Sequence, residues 1–202
     1  TAGKFDACGM TNMDALTIPA AGGVDTTALI IGDFSNGNDG IVLKGAAKKL
    51  ADIKGQKVNL VELSVSHYLL ARALESVKLT EKDIKVVNTS DADIVAAYAT
   101  PAVTAVVTWN PQLMTIKASP DSALVFDSSK IPGEIIDVMM VNTQTLRDNP
   151  TLGKALVGAW FETMSVMAKE DASGKAAREF MAKASGTDLA GFESQLKTTR
   201  MF

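Results

Sequence analysis

The sequence contains a single cysteine, Cys8, and a single histidine, His67. One cysteine excludes an internal disulfide and a multi-cysteine metal site, and the lone thiol does not separate a reducing from an oxidising compartment. Arginine is scarce as well: Arg72, Arg147, Arg178 and Arg200 are the whole complement, in a chain whose 20 basic and 23 acidic side chains give a formal charge of −3. No basic stripe is available to neutralise a phosphate backbone, so nucleic acid is not an expected partner. No apolar run approaches the roughly 20 residues of a membrane helix, because Asp, Lys or Asn interrupts each one. Direct membrane insertion of this chain is therefore not expected. The stretch from Thr1 to Asp6 has neither a basic n-region nor an apolar h-region, which places any export signal upstream or among segments already removed.

What is present is globular composition in a length of 202 residues, enough for one large domain or two small lobes. Strand-like and helix-like segments alternate. Ala28 to Ile31 reads as a strand, Gly32 to Gly40 as a polar loop, and Ile41 to Leu43 as a resumed strand. Gly45 to Ile53 suggests a short helix stopped at Gly55, and Lys57 to Leu63 a strand. From Ser66 to Val77, the residues Leu69, Leu70, Ala73, Leu74 and Val77 recur at steps of three and four, which predicts an amphipathic helix with Ser64 or Ser66 as its cap. Strands follow at Ile84 to Val87, Ala102 to Thr108, Ala123 to Phe126 and Ile135 to Val141, with a helix over Asp91 to Tyr98. After Pro150 the pattern is helical, through a stripe including Leu152, Leu156, Trp160 and Met167 and a second helix around Lys175 to Ala184, and no further strand is expected. Alternation of this kind implies an α/β fold with mainly parallel sheets covered by helices, whose ligands sit outside the carboxyl ends of the strands.

Polar residues after strands are accordingly the candidate ligand contacts, and each has a structural reading beside the functional one. Thr11, Asn12 and Asp14 bring a hydroxyl, an amide and a carboxylate to one place, or cap and charge the helix that follows. Asp33, Ser35, Asn36, Asn38 and Asp39 crowd one loop, more polar groups than a turn requires; the run lacks the alternating ligands and terminal Glu of a helix-loop-helix calcium site. Ser64, Ser66, His67 and Tyr68 lie where a strand passes into a helix, so that free N–H groups and two hydroxyls converge. His67 has no catalytic sequence pattern about it, which favours a packing or hydrogen-bonding role over catalysis. Trp109 and Asn110 end an apolar strand with an aromatic face and an amide, and Asp137 is a carboxylate set among Ile136, Val138, Met139 and Met140.

Three segments carry a family resemblance: Leu50 to Val58 (LADIKGQKV), Ser64 to Leu70 (SVSHYLL) and Val107 to Pro111 (VTWNP). They resemble the nitrate/sulfonate/taurine-type solute-binding proteins of ABC importers. Phe5 to Asp14, Ser35 to Asp39 and Ile131 to Gly133 look most like the branch associated with urea carboxylase and with urea or guanidine uptake. The resemblance covers nearly the whole chain and implies the type II periplasmic binding fold, two βαβ lobes joined by strand crossovers. It implies one lobe over residues 1–40 plus 126–202 and another over 41–125, with hinge closure on a ligand in the cleft. Implied partners are a small-molecule solute and an ABC transporter permease, in a periplasmic or extracytoplasmic location, with no cofactor. Two departures stand out. Trp109-Asn110-Pro111 replaces the family's usual Trp-Glu-Pro, and the chain enters after the family's first strand and helix and stops before its closing elements.

Ligand charge follows from the residues themselves. Asp14, Asp33, Asp39 and Asp137 occupy the candidate loops with no arginine near them in sequence, which favours a neutral amide or small cation over a sulfonate or nitrate. The expected function is capture and delivery without chemistry. The rivals are an enzyme on the same fold, such as the pyrimidine synthases of thiamine biosynthesis, and a solute-sensing domain. The enzyme needs several histidines or cysteines and a cofactor lysine, which one His and one Cys do not supply.

Overall fold

The computed structural model describes residues 5–202. In chain order the elements are β1 (Ala7–Thr11), α1 (Asn12–Ala21), β2 (Thr26–Ser35), β3 (Asp39–Lys44), β4 (Lys57–Leu60), α2 (Val65–Ser76), β5 (Lys85–Asn88), α3 (Ile94–Ala99) and β6 (Ala105–Trp109). They continue with α4 (Gln112–Lys117), β7 (Ser122–Asp127), β8 (Ile136–Asn142), α5 (Thr143–Asp148), α6 (Pro150–Met167), α7 (Ala172–Ala184), α8 (Leu189–Leu196) and β9 (Thr199–Met201). The chain divides into two compact units. One takes residues up to Asp33 together with Ile136–Phe202, and the other is Phe34–Ile135. The crossings fall earlier on the first connection and later on the second than the sequence suggests, because β3 and β7 pair with each other along their length and so belong to one sheet.

The second unit holds a five-stranded sheet in the order β5-β4-β6-β3-β7. β4 is parallel to β5 and β6, but β3 is antiparallel to both β6 and β7. The sheet is therefore mixed, where mainly parallel pairing was expected. The helix-separated strands β4, β5 and β6 obey the βαβ rule, and β3, which follows β2 after only Asn36–Asn38, is under no such constraint. Successive residues of β3 point to opposite faces. Ile41 and Leu43 join Leu60, Ala105, Val107 and the α2 stripe Leu69, Leu70, Ala73 and Leu74 in one core. Val42 and Val106 join Ile94, Tyr98, Leu113 and Ile116 from α3 and α4 in a second core on the other face. Buried on both sides, the middle of this sheet reads as unbroken apolar sequence.

The first unit holds a four-stranded sheet, β1-β8-β2-β9, with β1 antiparallel to β8. Gly32 of β2 brings that strand close to α6: a Cβ would stand 3.1 Å from the Trp160 ring. Three local expectations fail. The loop expected over Gly32 to Gly40 shrinks to Asn36–Asn38, since β2 runs on to Ser35 and β3 starts at Asp39; hydrogen bonds made inside the fold replace the water these polar residues would otherwise need. The helix expected from Gly45 is only a 3-10 turn at Leu50–Ile53, because Gly45 sits at φ +108°, outside helical space. A strand does return after the helical region, as β9, whose pairing includes a bond from Phe202 N–H to Gly32 O of 3.0 Å. Among the described residues no helix is long and apolar enough to cross a membrane.

Candidate functional site

Each unit gathers its polar residues at one corner of its sheet. In the second unit the parallel strands β4, β5 and β6 end at one edge, where antiparallel β3 begins and β7 ends. This is the edge at which α/β sheets bind ligands. Ser64 caps α2 by accepting from Ser66 N at 3.1 Å, and its hydroxyl donates to Val61 O at 2.7 Å. Ser66 follows in the first turn, fully buried on the stripe of Leu69, Leu70 and Ala73, and its Oγ has no hydrogen-bond partner. His67 Nδ1 accepts from Leu63 N at 3.1 Å, so the ring proton sits on Nε2, which donates to Glu81 Oε1 at 3.1 Å. The imidazole thus fixes the turn before α2.

Tyr68 is engaged with Glu134. Its hydroxyl donates to Glu134 Oε2 at 2.6 Å, and Arg72 grips the same carboxylate through Nε at 2.8 Å and Nη2 at 3.2 Å. The hydrogen bonds from Arg72 and then Tyr68 hold the Glu134 carboxyl below the ordinary glutamate value, while Glu134 raises the Tyr68 phenol. Arg72 also pairs with Glu75, so its charge is already spent within the unit.

Ser35 and Asn36 do not share a role. Ser35 is buried and donates to Asp39 Oδ2 at 2.5 Å. A hydroxyl has one proton, so the 2.6 Å contact between Ser35 and Ser128 must be a donation from Ser128. Ser128 Oγ in turn accepts from Gly37 N at 2.8 Å. Three buried side chains therefore close a directed network around the Asn36–Asn38 turn, in which Asn36 is half-buried. Trp109 lies opposite Asp39 in register, half-buried, and Asn110 ties the turn to α4: its N–H donates to Asn38 O at 3.0 Å and its Oδ1 accepts from Met114 N at 3.1 Å.

The first unit brings Thr11, Asn12, Asp14, Asp33 and Asp137 together. Thr11, at the end of β1, is opposite Asp137 of β8 in register and caps α1 by accepting from Asp14 N at 3.4 Å. Asn12 Oδ1 accepts from Ile136 N at 3.2 Å. Asp137 is exposed as a residue, yet the protein crowded about it pushes its carboxyl above the ordinary aspartate value, with a hydrogen bond to Asp33 pulling it back. Hydroxyl, amide and two neighbouring carboxyl groups are what the corner offers a ligand.

The residues that sequence reading left out are Ser128, Glu134 and Arg72, which act through partners 62 to 93 positions away. No local pattern marks them. Among the described residues no cluster of His, Cys, Asp and Glu could hold a metal ion.

Comparison with known proteins agrees with this architecture. The model of the family described as NMT1/THI5 like matches residues 1–172. A putative binding protein of Brucella abortus is 30% identical over 116 residues, covering 57% of this chain and 35% of that protein; the match spans about a third of the curated relative's length. Among solved structures, the periplasmic aliphatic sulphonate binding protein SsuA from Escherichia coli superimposes with a TM-score of 0.84 at 20% identity, over 100% of this chain and 69% of its own. The desulfurization enzyme DSZB gives a TM-score of 0.69 at 16% identity, over 92% of this chain and 68% of its own. Likeness at that identity fixes the type II periplasmic binding fold, which serves binding proteins and an enzyme alike.

Proposed function

The chain belongs to the NMT1/THI5-like family, and from that footing we propose that it serves as the extracytoplasmic solute-binding part of an ABC importer, capturing a small nitrogenous solute such as guanidinium, urea or a simple amide. The observation that carries the reading is the chemistry of the two corners. The carboxyl groups of Asp33 and Asp137 lie together beside Thr11 and Asn12. In the second unit Arg72, the arginine of α2, is occupied by Glu134 and Glu75. Acceptor groups at the first corner suit N–H-rich solutes, and the engagement of Arg72 at the second disfavours sulfonates.

In this reading the first unit offers Asp33, Asp137 and Asn12 as acceptors of N–H groups, and the second unit, taken by itself, offers Asn110 and the aromatic face of Trp109. His67, Ser64, Ser35, Thr11 and Asp14 serve by holding the turns that present these groups. The permease takes over a solute that has undergone no reaction, and delivery needs no cofactor. Calorimetric titration of the purified protein with guanidinium, urea and taurine tests the reading. Binding of guanidinium or urea ahead of taurine is expected; tightest binding of taurine would overturn it.

A further inference from the structure

Cys8, the one thiol of the chain, stands in β1 directly opposite Met140 of β8, and Met10 lies two residues further along β1. Side chains alternate across a strand, so these three share one face of the sheet, while Thr11 and Asp137, themselves a register pair, share the other. Directly opposed residues place their Cβ atoms about 4.5–5.5 Å apart and diagonal ones about 7–8 Å, spans that two thioether arms and a thiol bridge to one atom. The face carrying the sulfurs borders an open cavity of about 260 Å³ within the first unit, walled also by Phe5, Pro19 and Val24. Met140 is buried, Met10 half-buried and Cys8 exposed, so the group runs from the interior to the surface. A methionine whose task is packing bends to fill such a space, and interiors keep few voids larger than a water molecule. Here the space stays open with three sulfurs on its wall. The oxygen-bearing side chains Asp6 and Asn142 beside them are engaged elsewhere: Asp6 Oδ1 accepts from Thr145 Oγ1 at 2.8 Å, and Asn142 Oδ1 from Thr145 N at 3.0 Å. Sulfur is therefore the prevailing donor in the cavity.

We propose that Cys8, Met10 and Met140 are the three ligands of a binding site for a single Cu(I) ion. Thiolate and thioether sulfurs select this soft ion over Mg(II) and Ca(II), which take oxygen. As the ion binds, the Cys8 S–H bond breaks, its proton passes to water, and the sulfur's electron pair forms the bond to copper. The two thioethers donate lone pairs, and the metal stays Cu(I) throughout. One thiolate and one monovalent ion sum to zero charge, which a partly buried position tolerates. The site lies on the sheet face opposite Asp137 and does not depend on the solute-binding reading.

The test is anaerobic titration of Cu(I) in competition with a chromophoric Cu(I) chelator, on the wild type, Cys8→Ser, Met10→Leu and Met140→Leu. X-ray absorption at the copper edge on the loaded wild type counts the sulfurs. Leucine nearly keeps the volume of methionine, so the variants should fold as the wild type does, checked by thermal melting. The wild type should take one equivalent and show three sulfur atoms around copper. Each substitution should weaken binding by at least about tenfold, since even residues that only support a metal ligand are worth about 10–100-fold. A wild type that takes no more Cu(I) than Cys8→Ser overturns the proposal. Wild-type affinity in either folded methionine variant overturns the three-sulfur site, and fewer than three sulfurs in the absorption spectrum overturns it independently of any variant.

Discussion

Ser128 shows what single residues contribute and why some are invisible in sequence. Its hydroxyl is an acceptor for Gly37 N–H and a donor to Ser35, with every partner buried or half-buried. Ser128→Ala would strand those groups and should cost about 1–3 kcal/mol of stability, measured as a lower denaturation midpoint at unchanged slope. Asp137 makes the opposite prediction. Its carboxyl is raised by burial, so the folded state holds a proton that the unfolded chain releases, and the group's contribution is present in acid and lost as pH rises through the raised value. Asp137→Asn should therefore stabilise the protein at neutral pH, with the difference closing below the ordinary aspartate value; chemical denaturation across that range checks it. Sequence reading found Asp137, because a carboxylate inside an apolar strand is conspicuous. Ser128 carries no such mark, since its partners Ser35 and Gly37 lie 93 and 91 positions away.

At the scale of elements, α2 was the most legible. Its apolar spacing and its serine cap are local facts, and Leu69, Leu70, Ala73 and Leu74 are among the side chains that it buries. Removing the cap with Ser64→Ala should cost about 1 kcal/mol. Leu70→Ala, which opens a cavity in a fully buried position, should cost about 2–5 kcal/mol. Thermal melts rank the two, and equal losses would contradict the division between cap and core. The direction of β3 and the existence of β9 were not legible. Pairing direction depends on which strands become neighbours, and β9 is only Thr199–Met201, too short to show a periodicity. Gly32 is intermediate: its tolerance of the Trp160 ring is plain from structure, and sequence showed only a glycine at a strand end. Gly32→Ala should cost about 1–3 kcal/mol by overpacking, seen as a lowered melting midpoint.

At the scale of the whole molecule, two sheets with their own corners account for the polar residues that sequence reading singled out. The α/β class was readable from the rhythm of the chain, and a resemblance to solute-binding proteins from three short segments. The identity of the solute was readable only as a sign of charge, from carboxylates with no arginine near them in sequence. That sign is the central claim, and one measurement addresses it most directly: guanidinium titrated into the wild type and into the double variant Asp33→Asn, Asp137→Asn. Loss of a charge-assisted hydrogen bond is worth about 1.5–3 kcal/mol, so binding should weaken by at least about tenfold in the double variant. Equal affinity in the two proteins would contradict the account.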